Sequence, residues 1–470
     1  MSVKPRSKHS MSRADRDSVN VMAPDGEPRD EDEFRELMRE FLAGNSDIDP
    51  TDLARAAGLG SDPALIQQLI GQFQSALQNT DGEINWNLAR DHATAFAERS
   101  RQPSLPAERD ALMQALHVAA LWLDEATAIG PLTTEPRLLS RTEWVTATLP
   151  VWTQLAEPVA HSIADALTAV LQEHAPEELS SMIPGASTMF RSVAGTLFAM
   201  QLGQVMGQLS TEVVSGGDIG IPLLGGDESN DQAAVVPQNV AAFGEGLDVP
   251  LDQIALYLSV RELAHARLFR HARWLRLQVL TSITGIMSGT RINEQLLEEI
   301  AENFDPADTE SLQTAVRDGR LLQPRTESQQ SASARLETTL ALIEGWVDVV
   351  TAHATTRLPS AGAIAETVRR RRASGGPGES AFATLVQLEL RPRRLREAAA
   401  LWQRITDAVG AEARDDLWSH PDLVPTADDI DNPDAFIARL TGPAPEPDDI
   451  DQAISDLLED TNGEDRPKEG

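Results

Sequence analysis

The chain has 470 residues, 41% of them hydrophobic, enough to bury a large core, and length alone predicts two or three domains. A formal net charge of −33, from 73 acidic and 40 basic residues, repels phosphate backbones and anionic lipid, which argues against nucleic-acid and membrane-surface partners. Cysteine is absent, which excludes disulfides and thiolate metal sites and accords with a reducing, cytoplasmic setting.

Aromatics make up 4% of the chain and β-branched runs are few, a balance that favours helices. Residues 1–32 are polar and aperiodic and are expected to form a disordered tail without the apolar core of a secretory signal. A helical N-terminal region, 33–140, follows. Glu33–Leu42 and Pro63–Leu77 have amphipathic spacing, the latter aligning Ile66, Leu69, Ile70, Phe73 and Leu77, and Ala107–Ala128 continues the pattern.

The main domain is expected over 141–442. Trp144–His174 reads as helix, with breaks or kinks predicted at Pro150 and Pro158. Ser187–Val214 is the next helix. Its apolar run is interrupted by Arg191, Gln201, Gln204, Gln208 and Glu212, so it reads as a buried helix rather than a membrane span. Gly203 and Gly207 form a GxxxG spacing there, which points to close helix packing.

The segment Gly216–Gly226 is turn-rich and Val235–Val240 is extended in character, which predicts a small hairpin with Asp227–Asp231 as its loop. Helix resumes at Leu251, after the start signals Asp248 and Pro250, and is predicted to run to about Ile286. A polar stretch, Gln323–Ser333, precedes a helix over Arg335–Thr356. Asn432-Pro433 caps the helix that carries Phe436 and Leu440. Residues 443–470 hold ten acidic residues against Arg466 and Lys468 and form an acidic tail. The expected fold class is mainly α, with at most a small β-hairpin.

The segment richest in chemistry is Val260-Arg261-Glu262-Leu263-Ala264-His265-Ala266-Arg267-Leu268-Phe269. Zinc peptidases place H-E-x-x-H on a helix because residues four apart share a face and grip one ion, with the Glu as general base. Here the frame is Arg-Glu-x-x-His. Arg261 to Phe269, followed by Trp274-Leu275-Arg276, resembles the motif helix of the bacterial zincin-like metallopeptidase family, which is related to proteins associated with coenzyme F420 biosynthesis. Leu342-Ile343-Glu344-Gly345-Trp346-Val347-Asp348 is similar to that family's second block, and Leu388 to Ala398 to its C-terminal block.

The resemblance implies a zincin-like helical domain, a zinc ion and a protein or peptide substrate. It implies Glu262 as general base, His265 and Glu344 as metal ligands, and Asp348 as a residue that orients a ligand. Arg261 replaces the first His. A guanidinium stays protonated and cannot ligate zinc, and two ligands are fewer than the three of a catalytic site. Two readings stay open: a zinc-dependent peptidase or hydrolase with a degenerate motif, or a catalytically silent relative that binds a protein or peptide in the old cleft. In the second, Arg261 pairs with Glu262, Glu344 or Asp348.

His271 occupies the eleventh position of the longer H-E-x-x-H-x-x-G-x-x-H pattern. Leu268 stands where that pattern needs Gly, so His271 reads as a partly exposed helix residue. Arg369–Arg372 is the one concentrated basic run. It is expected to close a helix C-terminus, with an anion or acidic-peptide site as the alternative. Neither a phosphate-binding glycine loop nor a G-x-S-x-G nucleophile elbow occurs.

Overall fold

A computed structural model of the protein describes residues 84–174, 183–224, 232–288, 323, 325–373 and 393–442. All lie in one unit, Gly71–Gly470. The other unit, Met1–Ile70, falls outside them, as do the helices expected at Glu33–Leu42 and Pro63–Leu77 and both expected tails.

The described residues form twelve α-helices and a minimal sheet. α1 (Trp86–Arg99) is capped by Asn85, whose side chain accepts from the Asn87 amide at 3.2 Å. α2 (Pro106–Ala126) starts on a proline, where the missing N–H costs no helical bond. α3 (Arg141–His174) carries Pro150 and Pro158 inside one continuous helix, so the expected break does not occur. The buried Val151, Trp152, Leu155, Ala156 and Val159 hold this stretch against the core and offset the two lost backbone bonds. α4 (Ile183–Ser210) packs on both α1 and α3. A Cβ at Gly203 would lie 2.5 Å from the Ala89 carbonyl oxygen, and one at Gly207 would lie 2.6 Å from Phe96 Cβ. The GxxxG spacing thus serves close helix contact, as expected.

The sheet joins β1 (Arg137–Leu138) to β2 (Ala234–Val235) in parallel, and Ser215 adds one antiparallel bridge to Val235. The predicted hairpin is reduced to that bridge. Pro237 has no N–H to extend a ladder and instead opens α5 (Pro237–Gly244).

α6 (Leu251–His271) and α7 (Arg273–Ser288) are separate helices, where one was expected to run to Ile286; Ala272, with φ −91° and ψ 73°, breaks them. α8 (Glu327–Ala354) starts inside the stretch read as polar linker, because Thr326 and Gln329 form a capping box. α9 (Ala361–Ala373) ends on Arg370, Arg371 and Arg372. α10 (Leu395–Asp416), α11 (Ala427–Asp431) and α12 (Pro433–Thr441) complete the order, and Asn432 caps α12 as predicted.

α6 is the central element. It contacts α2, α5, α7, α8, α9 and β2, and every residue from Tyr257 to Phe269 is buried. Its mixed polarity is therefore that of an encircled helix, not of an amphipathic surface helix. α8 crosses α10 at Gly345, where a Cβ would lie 2.7 Å from the Ala399 nitrogen. Trp402 donates to the Leu342 carbonyl at 2.9 Å and stacks on Trp418 with ring centroids 5.3 Å apart.

Candidate functional site

Burial of α6 on all sides forces its ionisable side chains to find partners inside the protein. One turn separates Arg261 from His265, so both face the same neighbour, α8. There Glu344, fully buried, receives three groups. Arg261 donates to Oε2, Arg372 from the end of α9 donates to Oε1, and His265 Nε2 lies 3.0 Å from Oε1. The imidazole approach is close but misaligned, so Nε2 has no hydrogen-bond partner among the described residues.

Electrostatics follow from this crowding. Burial would push the Glu344 carboxyl up, but Arg372, Arg261 and His265 outweigh it and hold the pKa below the ordinary value. Burial would push Arg261 down, and Glu344, Tyr257 and Asp348 instead hold it above its usual range. Desolvation pushes His265 down to about 4, assisted by Arg261 and Arg372 against the opposing pull of Glu344. The centre at neutral pH is thus one carboxylate between two guanidinium cations and a neutral imidazole.

Glu262, expected as a general base, is 2% exposed and is engaged by backbone. Its oxygens accept the amide N–H groups of Gly217 and Ala234, both at 2.8 Å, and the Ser215 hydroxyl also bonds it. It fastens the Ser215–Gly217 strip to β2. Desolvation still outweighs those bonds and raises its pKa. Asp348, one turn along α8 from Glu344, accepts from Arg369 at 2.8 and 3.1 Å; it orients that arginine. His271 is an exposed residue at the end of α6.

Two features of the centre are not assigned to it by the sequence. The Arg369–Arg372 run is expected to close a helix, with an anion site as the alternative; it does end α9, and the Arg372 guanidinium reaches the Glu344 carboxylate and the Asp218 carbonyl (2.7 Å). The glycine-rich strip after α4 forms the wall over the centre. A Cβ on Gly217 would meet His265 Cβ at 3.0 Å, and one on Gly220, at φ +83°, would meet Arg372 Nη2 at 2.6 Å and Glu344 Oε1 at 3.0 Å. Only glycine allows that backbone path. The signal available was a run of glycines in an otherwise helical chain.

Two clefts flank the centre. One, about 370 Å³ including its open mouth, follows α6 along Glu262, His265, Ala266 and Phe269, and Arg276 and the strip from Gly216 to Leu224 close it. The other is bounded by Asp218, Phe243, Leu258, Arg261, Val368 and Arg371.

The sequence pattern of zincin-like metallopeptidases matches residues 84–437. The chain belongs to the zincin-like metallopeptidase family. No curated protein matches the chain. A crystallised protein of Chloroflexus aurantiacus, described as a candidate hydrolase with a novel fold, is similar in structure with a TM-score of 0.51. It is 19% identical, and the match covers 77% of this chain and 100% of that one, so the likeness is one of fold.

Catalytic members of a zincin family need a metal. The residues here do not fit one. Arg261, one turn before His265, cannot coordinate, and the Glu344 oxygens are occupied by Arg261 and Arg372. Among the described residues no group of three His, Asp, Glu or Cys side chains is placed to hold an ion. Nor, among them, is any helix long and apolar enough to cross a membrane.

Proposed function

We propose that this member of the zincin-like family is a catalytically silent protein- or peptide-binding scaffold. A guanidinium–carboxylate centre stands where its relatives would hold zinc. The observation that carries the reading is the convergence of Arg261 and Arg372 on the buried Glu344. Two fixed cations next to the remaining ligand disfavour a third, divalent one. The engaged carboxylate of Glu262 supports the same reading, because both of its oxygens already accept backbone N–H groups.

A second reading keeps zinc-dependent peptidase chemistry, with Glu262 as general base and His265 and Glu344 as ligands. What favours it is the unpartnered Nε2 of His265, a neutral buried imidazole 3.0 Å from Glu344. It requires Arg261 and Arg372 to leave the carboxylate.

Elemental analysis of the purified full-length protein, alone and after zinc loading and dialysis, separates the two. The scaffold reading expects far less than one zinc per chain, with no change in His265→Ala. One equivalent of zinc that disappears in His265→Ala would overturn it, and peptide hydrolysis abolished in Glu262→Gln would establish the second reading.

A further inference from the structure

Arg276 is out of place. The chain carries 73 Asp and Glu residues, and most described arginines have found one. Arg276, near the start of α7, has not. Its Nε and Nη2 are sealed from solvent and have no hydrogen-bond partner among the described residues, and burial lowers its pKa. Arg276 is half-buried as a whole, but two guanidinium nitrogens held from water without an acceptor are costly, and such groups are retained where something else completes them.

Arg276 lines the first cleft. Glu262, Ala266 and Phe269 recur along α6 at intervals of three or four residues, so the cleft follows one face of that helix for about 10 Å before reaching α7. Between the polar groups at Glu262 and the orphan arginine its walls are apolar: Ile221, Leu223, Leu224 and Phe269, all buried. Gln232 stands exposed at the mouth.

We infer that this cleft captures the C-terminus of a peptide, with the terminal carboxylate on Arg276 and an apolar last side chain against Leu223, Leu224 and Phe269. A guanidinium presents a planar fork of N–H donors that matches a carboxylate in two parallel bonds. An apolar wall beside that fork selects a carboxylate carried next to a hydrocarbon side chain. The inference deepens the scaffold reading and rests on its peptide-binding half only, since no step involves a metal.

The test is calorimetric titration of the full-length protein with three probes: acetyl-Ala-Ala-Leu free acid, its C-terminal amide, and acetyl-Ala-Asp-Ala amide. The free acid is expected to bind, and the other two at least tenfold more weakly. Arg276→Met is expected to lose at least tenfold in affinity for the free acid. Its thermal midpoint should rise, because the empty protein no longer holds two guanidinium nitrogens from water without acceptors, and this also shows that the variant folds. Equal binding of acid and amide, preference for the internal aspartate, binding undiminished in Arg276→Met, or no binding of any probe would each overturn the inference. Zinc content is measured separately, so a metal-containing protein that still prefers the free acid would sink the silent-scaffold reading and leave this one standing.

Discussion

At the scale of single residues the decisive contact is that between Arg261 and Glu344. A guanidinium inside the protein brings its own charge and needs an anion. Glu344 supplies it, and the pair is sealed in the core. Removing one partner of a buried pair strands the other. Arg261→Met is therefore expected to cost about 3 kcal/mol, the low end for such a loss because Arg372 stays on Glu344. Glu344→Gln strands two guanidinium groups and should cost more, while the double variant, in which only Arg372 is left without its anion, should cost less than the sum of the two single variants. Urea denaturation of the two single variants and the double variant reads the coupling, and additive effects would show that the pair carries none.

The same centre predicts acid sensitivity. His265 has its pKa lowered to about 4 in the folded protein against about 6.5 unfolded. The neutral form is the folded one, so its stabilisation is complete above the unfolded value. It is lost as pH falls from about 6.5 to about 4, by roughly 3 kcal/mol at most. Glu344, with its pKa depressed, acts in the same direction at lower pH. Unfolding midpoints measured from pH 8 to pH 4 should fall, and His265→Asn should flatten the part between 6.5 and 4. A variant with the wild-type slope would remove His265 from that account.

At the scale of elements, glycines decide which helices touch. Gly203→Ala on α4 places a methyl group 2.5 Å from a backbone oxygen of α1, which cannot move aside. The expected result is destabilisation of about 1–2 kcal/mol after the helix-propensity gain is subtracted. Gly285→Ala on α7 meets nothing within 4 Å and should instead stabilise by about 0.5–1 kcal/mol. Thermal midpoints that move in opposite directions support the packing role, whereas a shared direction would contradict it.

Much of this level could be read in the sequence, because apolar spacing and caps act locally. The helices around Ala107–Ala128, Ser187–Val214 and Phe436, and the meaning of Gly203 and Gly207, followed from such signals. What could not be read depended on neighbours distant in sequence. Pro150 and Pro158 are tolerated because the core grips α3, and the break at Ala272 has no glycine or proline to announce it. The candidate site shows the same division. Arg261, Glu262, His265, Glu344 and Asp348 were picked out by spacing and family resemblance. The structure brings Arg261 and His265 to Glu344 and turns Glu262 and Asp348 to other partners. Arg372 and Arg276 belong to the centre and its cleft only through tertiary contacts that no local spacing encodes.

At the scale of the whole molecule, stability depends on a few buried charges that tie distant segments together, and Asp415 is the clearest. It accepts the Thr127 hydroxyl at 2.6 Å and the Ala128 amide at 2.8 Å beyond the end of α2. It also accepts Trp346 Nε1 from α8 at 2.8 Å and the guanidinium of Arg414 at 2.7 and 3.0 Å. Arg414 in turn donates to the Ala126 carbonyl at 3.0 Å and is completely buried. Asp415→Asn keeps the shape but removes the charge, leaving that guanidinium uncompensated, at an expected cost of about 3–5 kcal/mol. Asp416→Asn, one residue on and exposed, should stay within about 0.5 kcal/mol of wild type. Because Asp415 joins the end of α2 to α8 and α10, its loss should weaken amide-exchange protection in all three helices together. Protection lost in α10 alone would reduce Asp415 to a local contact.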